Sequence, residues 1–246
     1  MNSGAGQGRR YWDEDGALAA AMRETAEGLG LVLPEHDGRW GRLAEYADEE
    51  SGRRATVSPP GSGRRTFQVR LHGLRAPLAS GGTSDLARAA RATAAWMGGE
   101  GLGTTKARAP FIRFRPWALE HEREPFDAVE LAWRIKLDRV HTAPYSRHPR
   151  VHALHEAAYA EPVLRALMPV NSHYNLWFST AEKSDEYSKK KVGYTLVPYD
   201  EGLYGAGEGL YGVWNRSEVV ARCETPEEAA ALVVASILNP PGAEEG

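Results

Sequence analysis

The order of strands and capped helices along the chain is the feature that most constrains its fold. Alternating apolar residues predict short strands between residues 42 and 71, and a capped, alanine-rich helix follows at 84–97. The second half repeats this order, with strands between residues 173 and 223 before a helix at 225–238. The repetition predicts an α+β protein with antiparallel sheet elements at both ends and a helical middle segment. A duplicated β–β–α unit and two unrelated α+β segments would both produce it.

The same pattern suggests how the chain is organised into segments. We expect one α+β domain flanked by short polar ends, because the glycine-rich start and the last residues carry no apolar periodicity. The predicted segments are a flexible leader at 1–12, a single domain at 13–238 with possible sub-units 13–98 and 170–238 joined by helical residues 99–169, and a tail at 239–246.

Composition and charge exclude several classes of protein. Apolar residues make up 42% of the chain and charged residues 26%, so wholesale disorder is excluded. A net charge of −3 provides no global attraction to nucleic acid or anionic lipid, and we expect neither as a partner. The longest nearly apolar stretch, Ala229–Leu238, is too short to span a bilayer. Cys223 is the only cysteine and Met1–Gly8 has no apolar signal core, which together favour a cytoplasmic protein.

Capping residues and charge spacing predict three helices. Thr225-Pro226-Glu227-Glu228 has the form of a capping box with proline at the first helical position, and the apolar helix after it is expected to be buried. Thr83 or Ser84 is the expected cap of the helix at 84–97, after a loop over 77–82. Residues 127–140 predict a helix with charges spaced four apart.

No cofactor is predicted, because the motifs that would bind one are missing or misplaced. Gly207–Gly212 fits the dinucleotide-binding pattern G-x-G-x-x-G, but that pattern should open a helix. Val213 and Trp214, which follow it, are typical of a strand, so a glycine-rich hairpin explains the segment better.

Histidines cluster between residues 141 and 173. His148, His152 and His155 are spaced as one stripe of a helix, and neutral imidazoles so placed can bind a metal ion. The alternative is a polar border on a half-buried helix. We favour the border and predict no metal site, since Pro149 places His148 at the helix start.

A second constellation surrounds His173. Alternation of Tyr174, Leu176 and Phe178 predicts a strand, which would put His173, Asn175 and Trp177 together on its other face. In the enzyme hypothesis His173 is the catalytic acid or base, and Ser172, Asn175, Trp177 and Arg165 bind substrate, with the guanidinium holding an anionic group. A Ser172–His173 nucleophile pair would need a turn between the two residues. In the structural alternative Arg165 pairs with Glu161 and Trp177 belongs to the core.

Several segments, taken in order, resemble a family of actinobacterial proteins of unknown function described as natural-product biosynthesis proteins. The resemblance covers roughly residues 80–238, while the loop at 183–191 departs from it. The matching segments are Gly82–Leu86 with Ala94–Trp96, Ala109–Ile112, Trp133, Glu161–Pro169 with Ser172-His173 and Leu176–Ser179, Tyr211–Val213, and Thr225–Ala229.

The resemblance implies a biosynthetic context and carries over no catalytic residue. It implies an accessory or tailoring protein of a bacterial natural-product pathway, with a protein partner from that pathway and a small-molecule or carrier-bound substrate. Whether the chain is itself an enzyme stays open. The alternative function is an immunity-like protein-binding module without catalytic activity.

Overall fold

The computed structural model describes residues 16–36, 41–60, 65–138, 148–199 and 210–240. The chain forms two compact units, Met1–Pro125 and Phe126–Gly246. The boundary between them falls inside the segment 99–169 that was predicted to be a helical connection. The predicted leader and residues 241–246 of the predicted tail lie outside the described residues.

The first unit contains a five-stranded antiparallel sheet whose strands follow one another in sequential order. Its elements are α1 (Ala17–Gly28), β1 (Ala44–Asp48), β2 (Arg53–Ser58), β3 (Phe67–Gly73), β4 (Ala76–Thr83), α2 (Leu86–Met97), α3 (Leu102–Arg108), β5 (Arg113–Phe114) and α4 (Ala118–Arg123). Helix α1 packs on α2, which lies on β2 and β3. Val57, Val69 and Leu71 are fully buried on these strands, and Trp96 of α2 is buried as well.

Strand β4 lies where the sequence predicted a loop through Pro77 and Gly82. That prediction was wrong because prolines and glycines also occur in strands for particular reasons. The register shifts between Leu71 and His72, opposite Pro77, so the proline sits at an irregularity. A Cβ at Gly81 would overlap the carbonyl of Phe111, so glycine permits a close backbone approach there.

The second unit contains another five-stranded antiparallel sheet in sequential order, from β6 at one edge to β10 at the other. Its elements are α5 (Ala128–Leu137), α6 (Pro149–Ala160), α7 (Pro162–Arg165), β6 (Met168–Ser172), β7 (Asn175–Ser179), a 3-10 turn (Ser184–Glu186), β8 (Lys191–Pro198), β9 (Tyr211–Asn215), β10 (Glu218–Cys223) and α8 (Pro226–Leu238). Helices α6 and α8 pack together and against β8. The core joins Trp133, Leu154, Phe178, Leu196 and Val233.

Two sequence predictions in this unit need correction. Residues 168–172 form strand β6, which pairs only with β7 within the described residues, and proline is tolerated at Pro169 on such an edge. Helix α8 was expected to be buried nearly all round, but Leu232 and Leu238 are exposed. It lies on one face of the sheet, so only the stripe with Ala229, Ala230 and Val233 is covered.

The sequence predicted the caps of two helices, α8 and α2, and the structure confirms one of them. At α8 the Thr225 hydroxyl accepts from the Glu228 N–H at 3.2 Å and the Glu228 carboxylate accepts from the Thr225 N–H, which confirms the capping box. Asp127 caps α5. At α2 the cap is Asp85 rather than Thr83 or Ser84, since its carboxylate accepts from the Ala87 N–H at 2.8 Å.

The α+β prediction with antiparallel sheets at both ends is confirmed. Each unit also combines a sequential antiparallel sheet with two helices that pack together. In the first unit α1 precedes β1 and α2 lies between β4 and β5, whereas in the second unit α6 precedes β6 and α8 follows β10. Within the described part of the chain, none of the helices has the length and apolar character needed to cross a membrane.

Candidate functional site

Ser172 and His173 lie at the tip of the β6–β7 hairpin. Ser172 pairs with Asn175, so His173 and Tyr174 form a two-residue turn, and their φ angles of 49° and 72° are both positive, as in a type I′ turn. Strand β7 therefore begins at Asn175 instead of His173. The sequence pattern started the strand two residues too early. His173 lies in the turn and does not share the strand face of Trp177.

The turn brings Ser172 and His173 together. The Ser172 hydroxyl oxygen lies 3.2 Å from Nδ1 of His173, a hydrogen bond between neighbours that a straight strand would not allow. Both side chains are exposed. Water therefore reaches the pair, which lacks the dry environment that strengthens electrostatic catalysis.

Asn175 and Trp177 lie on the sheet face opposite to the buried Leu176 and Phe178. Trp177 is half-buried, and the ammonium of Lys191 lies 5.8 Å from its ring centroid. The side-chain oxygen of Asn175 is buried and has no hydrogen-bond partner within the described residues. Because Asn175 pairs with Ser172, these two predicted ligand-binding residues share a face with Ser172 as well.

Arg165 is distant from His173. It ends α7 before β6, whereas His173 follows β6, so five residues of extended chain separate them, or about 17 Å. The Arg165 guanidinium lies 5.6 Å from the ring centroid of Tyr159 and lines a groove of about 630 Å³ with Asp127 and Glu130. The structure therefore does not bring Arg165, the predicted anion-binding residue, next to His173, the predicted catalytic residue.

A different cluster of polar groups is buried between α5, α6 and β6. His155 of α6 is 2% exposed, and its Nε2 lies 3.0 Å from the side-chain nitrogen of Asn171 on β6. Since the amide nitrogen can only donate, Nε2 is the acceptor. Burial, with smaller contributions from Lys136 and His152, lowers the pKa of His155 to about 3, so this imidazole is neutral at physiological pH.

His152 lies one helical turn before Glu156 and next to His155. It is 8% exposed, and its ring centroid is 6.4 Å from that of His155. Among the described residues, neither of its buried ring nitrogens has a hydrogen-bond partner, the Glu156 carboxylate being 3.8 Å from Nδ1. The buried side-chain oxygen of Asn171 likewise has no partner in the described part of the chain. Buried polar atoms in folded proteins nearly always have hydrogen-bond partners. The two His152 nitrogens and the Asn171 oxygen are therefore exceptions that need an explanation.

Lys136 in the last turn of α5 completes this cluster. Burial lowers the pKa of its ammonium to about 8, and its charge in turn disfavours protonation of His155. We call Lys136, His152, His155 and Asn171 the imidazole–amide cluster. It holds a cation, two imidazole groups and an amide inside the second unit, and can therefore both donate and accept hydrogen bonds in a desolvated setting.

His148 is separate from the other two histidines of the predicted stripe. It is the N-cap of α6, with Pro149 at the first helical position, and its ring packs edge-on at 4.9 Å against Tyr174 of the hairpin turn. Among the described residues, no three histidine, cysteine, aspartate or glutamate side chains are placed to hold a metal ion.

Sequence reasoning missed Lys136 and gave no role to Asn171. A lysine in the last turn of a helix is ordinary on its own, and Asn171 precedes the strand that the sequence predicted. Their proximity to His155 depends on how α5, α6 and β6 pack, which no local pattern indicates. The histidine spacing did identify His152 and His155 as neighbours, although as possible metal ligands.

Comparison with protein families finds a match in the second unit. Residues 127–244, just under half of the chain, match the model of DUF6193, a family of unknown function. All elements of the imidazole–amide cluster lie inside the matched range. Comparisons with curated proteins and with solved structures give no match.

Proposed function

We propose that this chain is an accessory protein of a bacterial natural-product biosynthetic pathway and that its second unit binds a small polar molecule of that pathway. The biosynthetic context comes from the resemblance described above. The binding role comes from one observation: His152 and the Asn171 oxygen, both next to His155, are buried without hydrogen-bond partners among the described residues.

The unpartnered buried atoms make this cluster a candidate binding site, because a ligand that forms hydrogen bonds with them removes the free-energy cost of leaving them unsatisfied. Leaving a buried donor or acceptor unsatisfied costs about 1–3 kcal/mol. A ligand that donates to Asn171 Oδ1 and pairs with His152 removes that cost at both residues. The ammonium of Lys136 adds a positive charge close to His155. The ligand we expect is therefore a small molecule with at least one hydrogen-bond donor and one acceptor.

A binding role fits the side chains better than catalysis by His173. His173 and Ser172 are exposed at the hairpin tip, and Arg165 lies beyond the other end of β6. His155 is held neutral by burial and already bonded to Asn171, so it serves to position the amide. Catalysis would then reside in a partner protein of the same pathway, as the accessory role implies.

Bound-ligand analysis tests the proposal. The protein purified from its native host is denatured, and the released small molecules are identified by mass spectrometry. We expect a stoichiometric compound from the wild-type chain and its loss from Asn171→Leu and from His152→Leu. Asn215→Leu, which makes the same substitution at an exposed amide at the end of β9, is the matched control and should retain the compound.

Disruption of the gene in the same host tests the biosynthetic context. We expect one secondary metabolite to disappear, and complementation with the wild-type chain but not with Asn171→Leu should restore it. An unchanged metabolite profile would contradict the pathway assignment. Equal amounts of bound compound in wild type and both cluster variants would contradict the binding site.

Protein binding without a small-molecule ligand is the second candidate function, and edge strand β10 favours it. Its exposed side includes Val219 at 41% and Val220 at 48% exposure, and it pairs only with β9 in the described part of the chain. Such an edge can add a strand from another protein. Recovery of a stoichiometric protein partner with no released small molecule would favour this function.

A further inference from the structure

Arginines gather on the open face of the sheet in the first unit. Directly paired residues of antiparallel strands share a face, as do residues two apart on one strand. Arg54 pairs with His72, Arg70 pairs with Ser80, and Ser80 pairs with Arg113. These residues alternate with the core residues of β2 and β3, so they lie on the face opposite to α2. Arg54, Arg70 and Arg113 are exposed.

Arg115 extends this cationic face beyond β5. Its backbone N–H donates to the carbonyl of Leu78 at 3.0 Å, which keeps it beside β4. His72, in the middle of the arginines, is half-buried. Burial lowers the pKa of its imidazole, and the charges of Arg70, Arg115 and Arg54 lower it further. Three guanidinium groups therefore lower the pKa of this one imidazole. Among the described residues, no carboxylate raises it.

A cleft of about 660 Å³ opens at this place. It is lined by Arg54, His72 and the two hairpin turns at residues 47–52 and 73–76. One wall carries acidic groups: Asp48, Glu49 and Glu50. The Asp48 carboxylate is occupied within its own turn, where it accepts from the Ser51 hydroxyl at 2.5 Å and from the Glu50 N–H at 3.1 Å. Arg75 and Arg54 supply the cations of the lining.

We propose that this face, centred on His72 with Arg54, Arg70 and Arg115, binds the phosphoryl group of a small molecule. Guanidinium groups present paired N–H donors that match the oxygens of phosphate. A bound dianion would offset the mutual repulsion of the cations. The site lies in the first unit and does not depend on the ligand proposed for the second unit.

The size and lining of the site favour a small phosphorylated molecule over a macromolecule. The arginines span strands β2 to β5, or about 14 Å at about 4.8 Å per strand. Beyond them the same face carries the carboxylate of Glu45, which pairs with Thr56, and uncharged residues, with Ser58 paired to Gln68 and Gln68 paired to Gly82. An extended polyanion would need a longer basic track. The strand positions of this face hold no Phe, Tyr or Trp side chain on which the bases of single-stranded nucleic acid would stack.

Calorimetric titration with sodium pyrophosphate at constant ionic strength tests the proposal. We expect saturable one-to-one binding by the wild-type chain and an approximately tenfold weaker Kd in Arg54→Ala and in Arg70→Ala. Arg91→Ala, at an exposed arginine of α2, is the matched control and should bind as the wild type does. Because all three positions are exposed, thermal melting should show that each variant is folded.

A second measurement reports on the site itself. In an NMR titration, pyrophosphate should raise the pKa of the His72 imidazole in the wild-type chain but not in the double variant Arg54→Ala/Arg70→Ala. Absence of saturable pyrophosphate binding would overturn the proposal, as would equal loss of affinity in Arg91→Ala. Tighter binding of a 20-nucleotide RNA or of polyglutamate than of pyrophosphate, with the same arginine dependence, would also overturn it in favour of a macromolecular partner.

Discussion

The guanidinium of Arg53 lies 4.3 Å from the centroid of the Trp96 ring. The same side chain donates from Nη1 to the carbonyls of Trp96 at 2.8 Å and Glu100 at 2.6 Å, so it closes the C-terminal end of α2. The indole N–H of Trp96 in turn lies 3.1 Å from the carbonyls of Arg54 and His72. One residue at the start of β2 thus fixes the end of the helix that covers the sheet.

Loss of this contact should destabilise the first unit. We expect Arg53→Met to lower the free energy of unfolding by about 1.5–3 kcal/mol, since two charge-assisted hydrogen bonds and a cation–π contact disappear. Arg54→Met, at the next and exposed position, should change it by less than about 0.5 kcal/mol. Urea denaturation measures both, and equal effects would show that the Arg53 contacts do not stabilise the fold.

Removal of the α8 cap has a smaller predicted effect. Thr225→Ala should cost about 1 kcal/mol because the Glu228 N–H loses its acceptor, while Thr225→Ser keeps a hydroxyl and should cost little. The midpoint of urea unfolding is the measurement. A midpoint unchanged in the alanine variant would mean that the capping box is not formed in solution.

The neutral imidazole of His155 should make stability depend on pH. The unfolded chain binds a proton near the ordinary histidine value of about 6.5, whereas the folded chain resists protonation down to a pKa of about 3. Stability contributed by this residue is therefore complete above about pH 6.5 and falls by about 1.4 kcal/mol per pH unit below it.

His155→Gln isolates that contribution. Between pH 7 and 5 the variant should lose less stability than the wild type, and His173→Gln, at the exposed hairpin tip, should lose as much as the wild type. Denaturation curves at several pH values give the comparison. Parallel pH profiles for all three proteins would refute a neutral, buried His155.

Burial of Lys136 gives a pH dependence of the same sign in a higher pH range. Its folded-state pKa of about 8 lies below the ordinary value of 10.5, so the folded chain releases the proton first and stability rises as pH increases from about 8 towards 10.5. Lys136→Met should raise the stability at pH 7, because no buried charge remains, and should flatten the rise up to pH 9.5. Lys189→Met, at an exposed lysine, should do neither.

Gly193 is required where β8 approaches α8. Its φ is +63°, and a Cβ there would lie 2.6 Å from Ile237 Cγ1 and 3.0 Å from Ser236 Oγ. Gly193→Ala should cost at least about 2 kcal/mol, from the left-handed backbone and from overpacking. Gly103→Ala, in α3 with no atom near the added carbon, should instead stabilise by up to about 1 kcal/mol. Thermal unfolding distinguishes these opposite signs.

Helices that carry a local sequence signal, such as a capping box or regularly spaced charges, were predicted correctly. The capping box at Thr225 predicted α8, and the charges spaced four apart predicted α5. Strands β4 and β6 were missed because the sequence carries glycine or proline there for reasons of tertiary packing and edge position. The turn at His173–Tyr174 was missed because neither residue is the glycine or asparagine that usually adopts positive φ.

The candidate site was harder to predict than the fold. Spacing on one helix indicated that His152 and His155 are neighbours. Their burial, the unpartnered oxygen of Asn171 and the proximity of Lys136 depend on three separate elements meeting. The arginines around His72 come from β2, β3 and the residues after β5, and only the strand register brings them together.

The sequential strand order of both sheets has a consequence for folding kinetics. Each strand of the second sheet pairs with the strand before or after it along the chain, so the sheet can grow by adding one hairpin at a time. Such short-range pairing lowers the contact order and speeds folding. The contact of α6 with α8 is different, since these helices flank the whole series of strands. Contact formation between α6 and α8 therefore carries the largest entropic cost of loop closure. If this contact forms before the transition state, substitutions between α6 and α8 should change the folding rate.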